Sequence, residues 1–153
     1  MSINAMNSTV SNLSGTPASL ALRLLAALYD AFPVMALWFV ATMLALALTG
    51  GTLDVQRLPH KLLVQALLIA VTGLYFVISW RRGGQTIGMR AWRLRVVRSD
   101  GRPLDTRQAL VRFGISLLSL AAVGLGFFWA LIDAQNRTWH DIAAETLVVR
   151  LEK

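Results

Sequence analysis

The sequence has no cysteine, which excludes disulfides and thiolate-held metals. Histidine is nearly as scarce, with only His60 and His140. A hydrolytic metal centre needs three or more ligands at workable spacing, and no histidine-rich motif accompanies either residue. Charge is thin as well: 15% of the residues are charged, against roughly 25% in a typical soluble domain. Acidic residues are the scarcer sign, 8 against 15 Lys and Arg, for a net charge of +7. No basic n-region precedes the first apolar stretch, and that stretch is too long for the h-region of a cleavable signal. Residues 1–19, rich in Ser, Thr and Asn, are therefore expected to form a disordered tail, with the first apolar segment serving as its own insertion signal.

Apolar sequence is what the chain has in quantity. At 153 residues it holds one domain, and 56% of it is hydrophobic. Mean hydropathy is +0.57. Ala31 to Leu48 runs 18 residues without a charge, Leu62 to Trp80 runs 19, and Phe113 to Ile132 runs 20. About 20 apolar residues cross a ~30 Å hydrocarbon core as helix. The expected fold class is an all-α membrane protein, a helical transmembrane bundle.

The positive charge is concentrated between the second and third apolar segments. Arg81 to Arg112 holds nine arginines (81, 82, 90, 93, 95, 98, 102, 107 and 112) against Asp100 and Asp105, and nine less two equals the charge of the whole chain. Short connections rich in Lys and Arg stay on the cytoplasmic side. The N-terminus is then expected inside a bacterial cytoplasmic (inner) membrane, with the Gly50–Lys61 loop outside. Trp80, Arg81, Arg82, Arg93 and Arg95 are expected to contact anionic lipid headgroups, each basic residue near the surface contributing about 1 kcal/mol. This placement against a membrane argues against nucleic-acid binding. Gly83 to Gly88 is no phosphate loop, since it lacks the spaced glycines and trailing Lys-Ser/Thr.

Two short strands interrupt the helical pattern. Trp92, Leu94 and Val96 alternate with Arg93 and Arg95, and Thr146 to Lys153 reads similarly. Asp100-Gly101 signals a turn, and Asp105-Thr106 suits a helix N-cap ahead of the third apolar segment. Neither strand is stable alone, so a cytoplasmic strand pair is expected. The two can meet only if the third apolar segment dips in and returns. Ala122-Val123-Gly124-Leu125-Gly126 tolerates such a reversal; the alternative is a single span whose glycines admit a neighbouring helix.

Candidate functional residues are the charges that a membrane should exclude. Arg23 and Asp30 lie seven residues apart on roughly one helix face, ~10 Å along the axis, inside an otherwise uncharged stretch from Ala21 to Thr49. Ionisable groups in a span usually face a protein partner or a wet cavity. Pro33 cannot donate to the Tyr29 carbonyl, which would leave an acceptor beside Asp30. Three placements fit Asp30: a buried structural tie, a proton or cation site, or the headgroup layer. Asp133, His140 and Asp141 belong to a second polar cluster, in which His140 and Asp141 are expected to pair with basic groups, such as the loop arginines, at the membrane surface.

These residues together resemble the RDD family of bacterial membrane proteins, named for one arginine and two aspartates. The resemblance rests on Arg23 and Asp30, then Gly84-Gln85-Thr86-Ile87-Gly88, then Leu94-Arg95-Val96-Val97. It continues through Asp133, Arg137-Thr138-Trp139-His140-Asp141 and Thr146-Leu147-Val148-Val149. It covers roughly residues 18 to 150. By this resemblance the name-giving residues are Arg23, Asp30 and Asp141, with Asp133 the competing choice. The chain departs from the family pattern at Glu145, where Gly is usual, and at Trp139, where an aliphatic residue is common. Most members have no assigned molecular function, and some are linked to cation/proton exchange.

The expected protein is thus two long spans plus a third span or re-entrant hairpin, over residues 20–150. Its expected role is a non-enzymatic membrane interaction or assembly module, without cofactor or catalytic residue. The alternative is a cation/proton transport component using Asp30, which would require a homo-oligomer to enclose a path.

Overall fold

The computed structural model describes residues 15–100 and 102–151. Two long helices dominate it. Helix α1 spans Leu20–Leu48, 29 residues and ~43 Å. It is rich in Ala and Leu, which lose little entropy on becoming helical, and it runs through Pro33 without interruption. Its buried residues include Ala26, Asp30 and Val34, spaced by four into a single stripe, while Leu28, Phe32, Phe39 and Leu44 lie exposed. A helix apolar all round, with so little of it covered by protein, is built for a hydrocarbon surround.

Helix α2 (Leu58–Gly83) follows, with Pro59 in its first turn and Arg81 and Arg82 in its last. Gly84 ends it in the left-handed conformation at φ 67°. The two helices pack against each other and are joined midway by the Trp38 indole N–H, which donates to the Thr72 hydroxyl at 2.8 Å. Both are long and apolar enough to cross a membrane.

A one-turn helix α3 (Ile87–Ala91) then turns the chain back against α1. Gly88 allows this approach, because a Cβ there would overlap the Ala26 carbonyl oxygen. Strand β2 (Leu94–Arg98) comes next, and the chain reaches it through Arg93 at φ 55°. Gly84 and Gln85 cover its outer edge: the Val96 N–H donates to the Gly84 carbonyl at 2.7 Å, and the Gln85 amide to the Leu94 carbonyl at 2.7 Å. The expected Asp100-Gly101 turn includes Gly101, which lies outside the described residues.

Helix α4 (Thr106–Ala121) starts at the expected N-cap. Asp105 accepts from the Gln108 N–H while the Gln108 side chain accepts from the Asp105 N–H, a complete capping box. Its Phe113 ring fills the space that a side chain at Gly73 of α2 would need. At Val123 (φ 56°) and Gly124 (φ 78°) the chain bends by 109° into helix α5 (Leu125–Phe128) and a 3-10 turn, Trp129–Leu131. The third apolar segment therefore reverses rather than running straight. Helix α6 (Trp139–Ala143) and strand β3 (Thr146–Leu151) complete the fold.

The sheet has three strands, one more than the expected pair. Strand β1 (Gly15–Pro17) pairs antiparallel with β3, Gly15 opposite Leu151, and β2 pairs with its other side, Leu94 opposite Arg150. Residues 15–17 are thus strand rather than disordered tail, because β3 offers them an unpaired edge; the remainder of the expected tail, residues 1–14, lies outside the described residues. Leu94, Val96 and Val148 share the core with Ala18, Ala26, Val77, Trp80, Leu104 and Ala109. That core lies at the sheet end of the helices, and the far halves of α1 and α2 are left apolar and open.

Glu145 sits at φ 53°, a left-handed position that costs a residue with a Cβ about 1–2 kcal/mol. Glycine, which the family resemblance leads one to expect there, would carry no such strain. Glu145→Gly is expected to raise stability by about 0.5–1 kcal/mol, the released strain being partly offset by unfolded-state entropy. Gly88→Ala is expected to lower it by about 3 kcal/mol through overlap with α1. Thermal unfolding in neutral detergent reads both; an unchanged midpoint for the glycine variant would rule out strain at residue 145.

Candidate functional site: two buried aspartates

Arg23 and Asp30 do not pair. Their ~10 Å axial offset on one rigid helix is too long for contact, and each meets its own partners from the end of the chain or the middle. Asp30, 3% exposed, turns to α2 and α3. Its Oδ1 accepts from the Tyr75 hydroxyl at 2.6 Å and the Gly88 N–H at 2.8 Å, and its Oδ2 accepts from the Thr86 hydroxyl at 2.5 Å. Tyr75 accepts in turn from the Ile87 N–H at 3.2 Å. Asp30 therefore caps the first turn of α3 from a neighbouring helix, while Thr86, the N-cap residue, accepts from the Met89 N–H at 3.1 Å.

Asp141 is fully buried and gathers more elements. Its Oδ2 accepts from Arg23 Nη1 of α1 at 2.5 Å, and its Oδ1 from Arg112 Nη1 of α4. The Thr138 N–H (2.9 Å) and hydroxyl (2.8 Å) also donate to Oδ2, so the carboxylate closes the first turn of its own helix α6. Arg112 Nη1 donates further to the Thr146 hydroxyl on β3 at 2.7 Å, and the guanidinium lies over the Trp80 ring of α2 at 5.0 Å. One carboxylate thus ties α1, α4 and α6 together, and through Arg112 it reaches α2 and β3.

Asp133 plays a local part. It accepts from the Gln135 and Arg137 N–H groups at 3.0 Å and forms a two-pronged pair with the Arg137 guanidinium, closing its own loop. Those bonds hold its carboxyl below the usual range, against the opposing effect of burial. Of Asp133 and Asp141, the two choices for the second aspartate, Asp141 is the one that meets Arg23.

His140 is buried, with Phe127 edge-on at 5.0 Å. Burial, reinforced by the Arg112 charge, pushes its pKa down to about 3. Burial also works to raise the pKa of Asp141, but Arg112 and Arg23 overcome it and hold the carboxyl below its ordinary value. Trp80, expected at the headgroups, is instead 6% exposed, drawn inward beneath Arg112 and beside Phe76. Arg81, Arg82, Arg93 and Arg95 are exposed. Among the described residues no three His, Asp or Glu side chains converge as metal ligands would.

The model of the RDD family matches residues 17–145 of this chain. The chain belongs to the RDD family. No curated protein and no solved structure matches it. Sequence reasoning missed Arg112 and Tyr75 of this RDD protein as site residues, and Thr86, Thr138 and Thr146 as well. Arg112 carried one readable signal: it stands at the mouth of a long apolar run, between Val111 and Phe113. The hydroxyl residues carried none.

Asp141→Asn strands two buried guanidiniums and is expected to cost about 3–5 kcal/mol. Asp133→Asn, in a partly exposed pair, is expected to cost about 1 kcal/mol or less. For His140, acidification protonates the unfolded chain below about pH 6.5 while the folded imidazole stays neutral. Stability is therefore full above about pH 6.5 and falls by up to about 1.4 kcal/mol per unit below it. Thermal unfolding from pH 8 to 4.5 in detergent tests both; a His140→Leu variant with the same acid slope as the parent would rule out the imidazole as its source.

Proposed function

We propose that this RDD protein is a non-enzymatic membrane interaction or assembly module of the bacterial inner membrane, its buried charges serving as structural ties. One observation carries the reading: both oxygens of Asp30 and both of Asp141 already accept hydrogen bonds from fixed donors. A transport carboxylate has to exchange its partners, whereas these hold separate helices in register. In this reading α1 and α2 cross the bilayer and the α4–α5 elbow re-enters from the cytoplasmic side. The sheet lies against the cytoplasmic leaflet, and the exposed Arg81, Arg82, Arg93 and Arg95 attract anionic headgroups.

Asp30→Asn preserves shape and removes charge. It is expected to lower stability by about 2–4 kcal/mol, since a buried acceptor for three donors is weakened. Neither parent nor variant is expected to support ion-dependent proton flux in liposomes. Flux in the parent that Asp30→Asn removes, with the fold intact by thermal unfolding, would establish transport instead. Because the chain lacks cysteine, single substitutions report topology without background. Arg95→Cys and Arg150→Cys are expected to label from one side of the membrane and Val55→Cys from the other; labelling of 95 and 150 from opposite sides would exclude the re-entrant arrangement.

A further inference from the structure

The Asp141 cluster is one negative charge short. Arg23 and Arg112 bring two positive charges to a single carboxylate, and burial keeps the neighbouring His140 neutral. Their side chains are only 9% and 2% exposed. Each guanidinium meets Asp141 through Nη1 alone, whereas two-pronged contact is its strongest geometry. The remainder is visible in the hydrogen bonding: Arg23 Nη2 and Arg112 Nε are buried N–H donors without an acceptor. The end of α1 adds to the same potential. Arg23 lies in its first turn, where the helix dipole is positive, no acidic residue is present and Ser19 forms no side-chain cap. A water molecule could accept from these donors, but it would leave the buried charge uncompensated.

We infer that Arg23 Nη2 and Arg112 Nε form a binding site for one phosphate-type oxyanion, completing a ring of two guanidiniums and two anions with Asp141. The source is a free phosphate from solution or the phosphate of an anionic lipid. The lipid source draws on the membrane reading above; the site itself does not, and it stands whether the protein ties helices together or moves ions.

The test is thermal unfolding of delipidated protein in a neutral maltoside detergent. Sodium phosphate is titrated against sodium chloride at matched ionic strength, and phosphatidylglycerol against phosphatidylcholine in mixed micelles. A saturable rise is expected, roughly 5–10 °C at a hundredfold excess over Kd. A rise with both phosphate and phosphatidylglycerol identifies a site open to solution, and a rise with phosphatidylglycerol alone identifies a headgroup site. Arg23→Gln leaves Asp141 and Arg112 as a neutral pair and is expected to lose the rise. Parent curves that follow chloride and phosphatidylcholine overturn the proposal, as does a rise that survives in Arg23→Gln. Should that variant not fold, native mass spectrometry of the parent decides: one phosphate or one phosphatidylglycerol per chain is required, and none, or an unsaturable series, overturns it.

Discussion

A single carboxylate between two guanidiniums holds this fold together. Asp141 cannot be buried as a charge without partners, and the partners come from helices far apart in sequence, Arg23 near the start of the chain and Arg112 at the foot of α4. Meeting that one requirement brings the third apolar segment and α6 back to the first helix. The consequence spreads outward. Arg112 takes Trp80 beneath it and bonds Thr146, which sets β3 beside β2 and gives β1 an edge to pair with.

Asp30 does for the middle of the chain what Asp141 does for its end. By accepting from Thr86, Gly88 and Tyr75, it pins the turn after α2 to the flank of α1. The two hubs share α1 and use positions about two turns apart on it. Only the sheet end of the molecule is tied in this way. Beyond Val34 the long helices rely on apolar contact and the Trp38–Thr72 bond, in line with a lipid surround where hydrophobic burial against protein brings little extra stability.

Much of the architecture was legible in the chain. Uncharged runs of 18 to 20 residues announce long apolar helices, Asp105-Thr106 marks a helix start, and the alternation around Leu94 and at Thr146 marks two strands. The glycine-centred bend at residues 122–126 was legible as one of two options, and the chain does turn there by 109° while β2 pairs with β3. The site was legible only in its residue types. Arg23, Asp30 and Asp141 stood out because apolar surroundings make charges expensive, but their partners were not legible. Two residues of one helix keep a rigid axial separation, and a better-placed partner came from another element.

Local physics explains the division. Hydrophobic run length, turn chemistry and capping act over a few residues, so the sequence alone determined the two long helices, the start of α4, two of the three strands and the membrane character of an RDD protein. The choice of partner for each buried charge depends on which backbones arrive within about 3 Å of one another. Tertiary structure alone therefore decided that Asp141 joins Arg23 to Arg112, that Asp30 caps α3, that Trp80 turns inward and that residues 15–17 become a third strand.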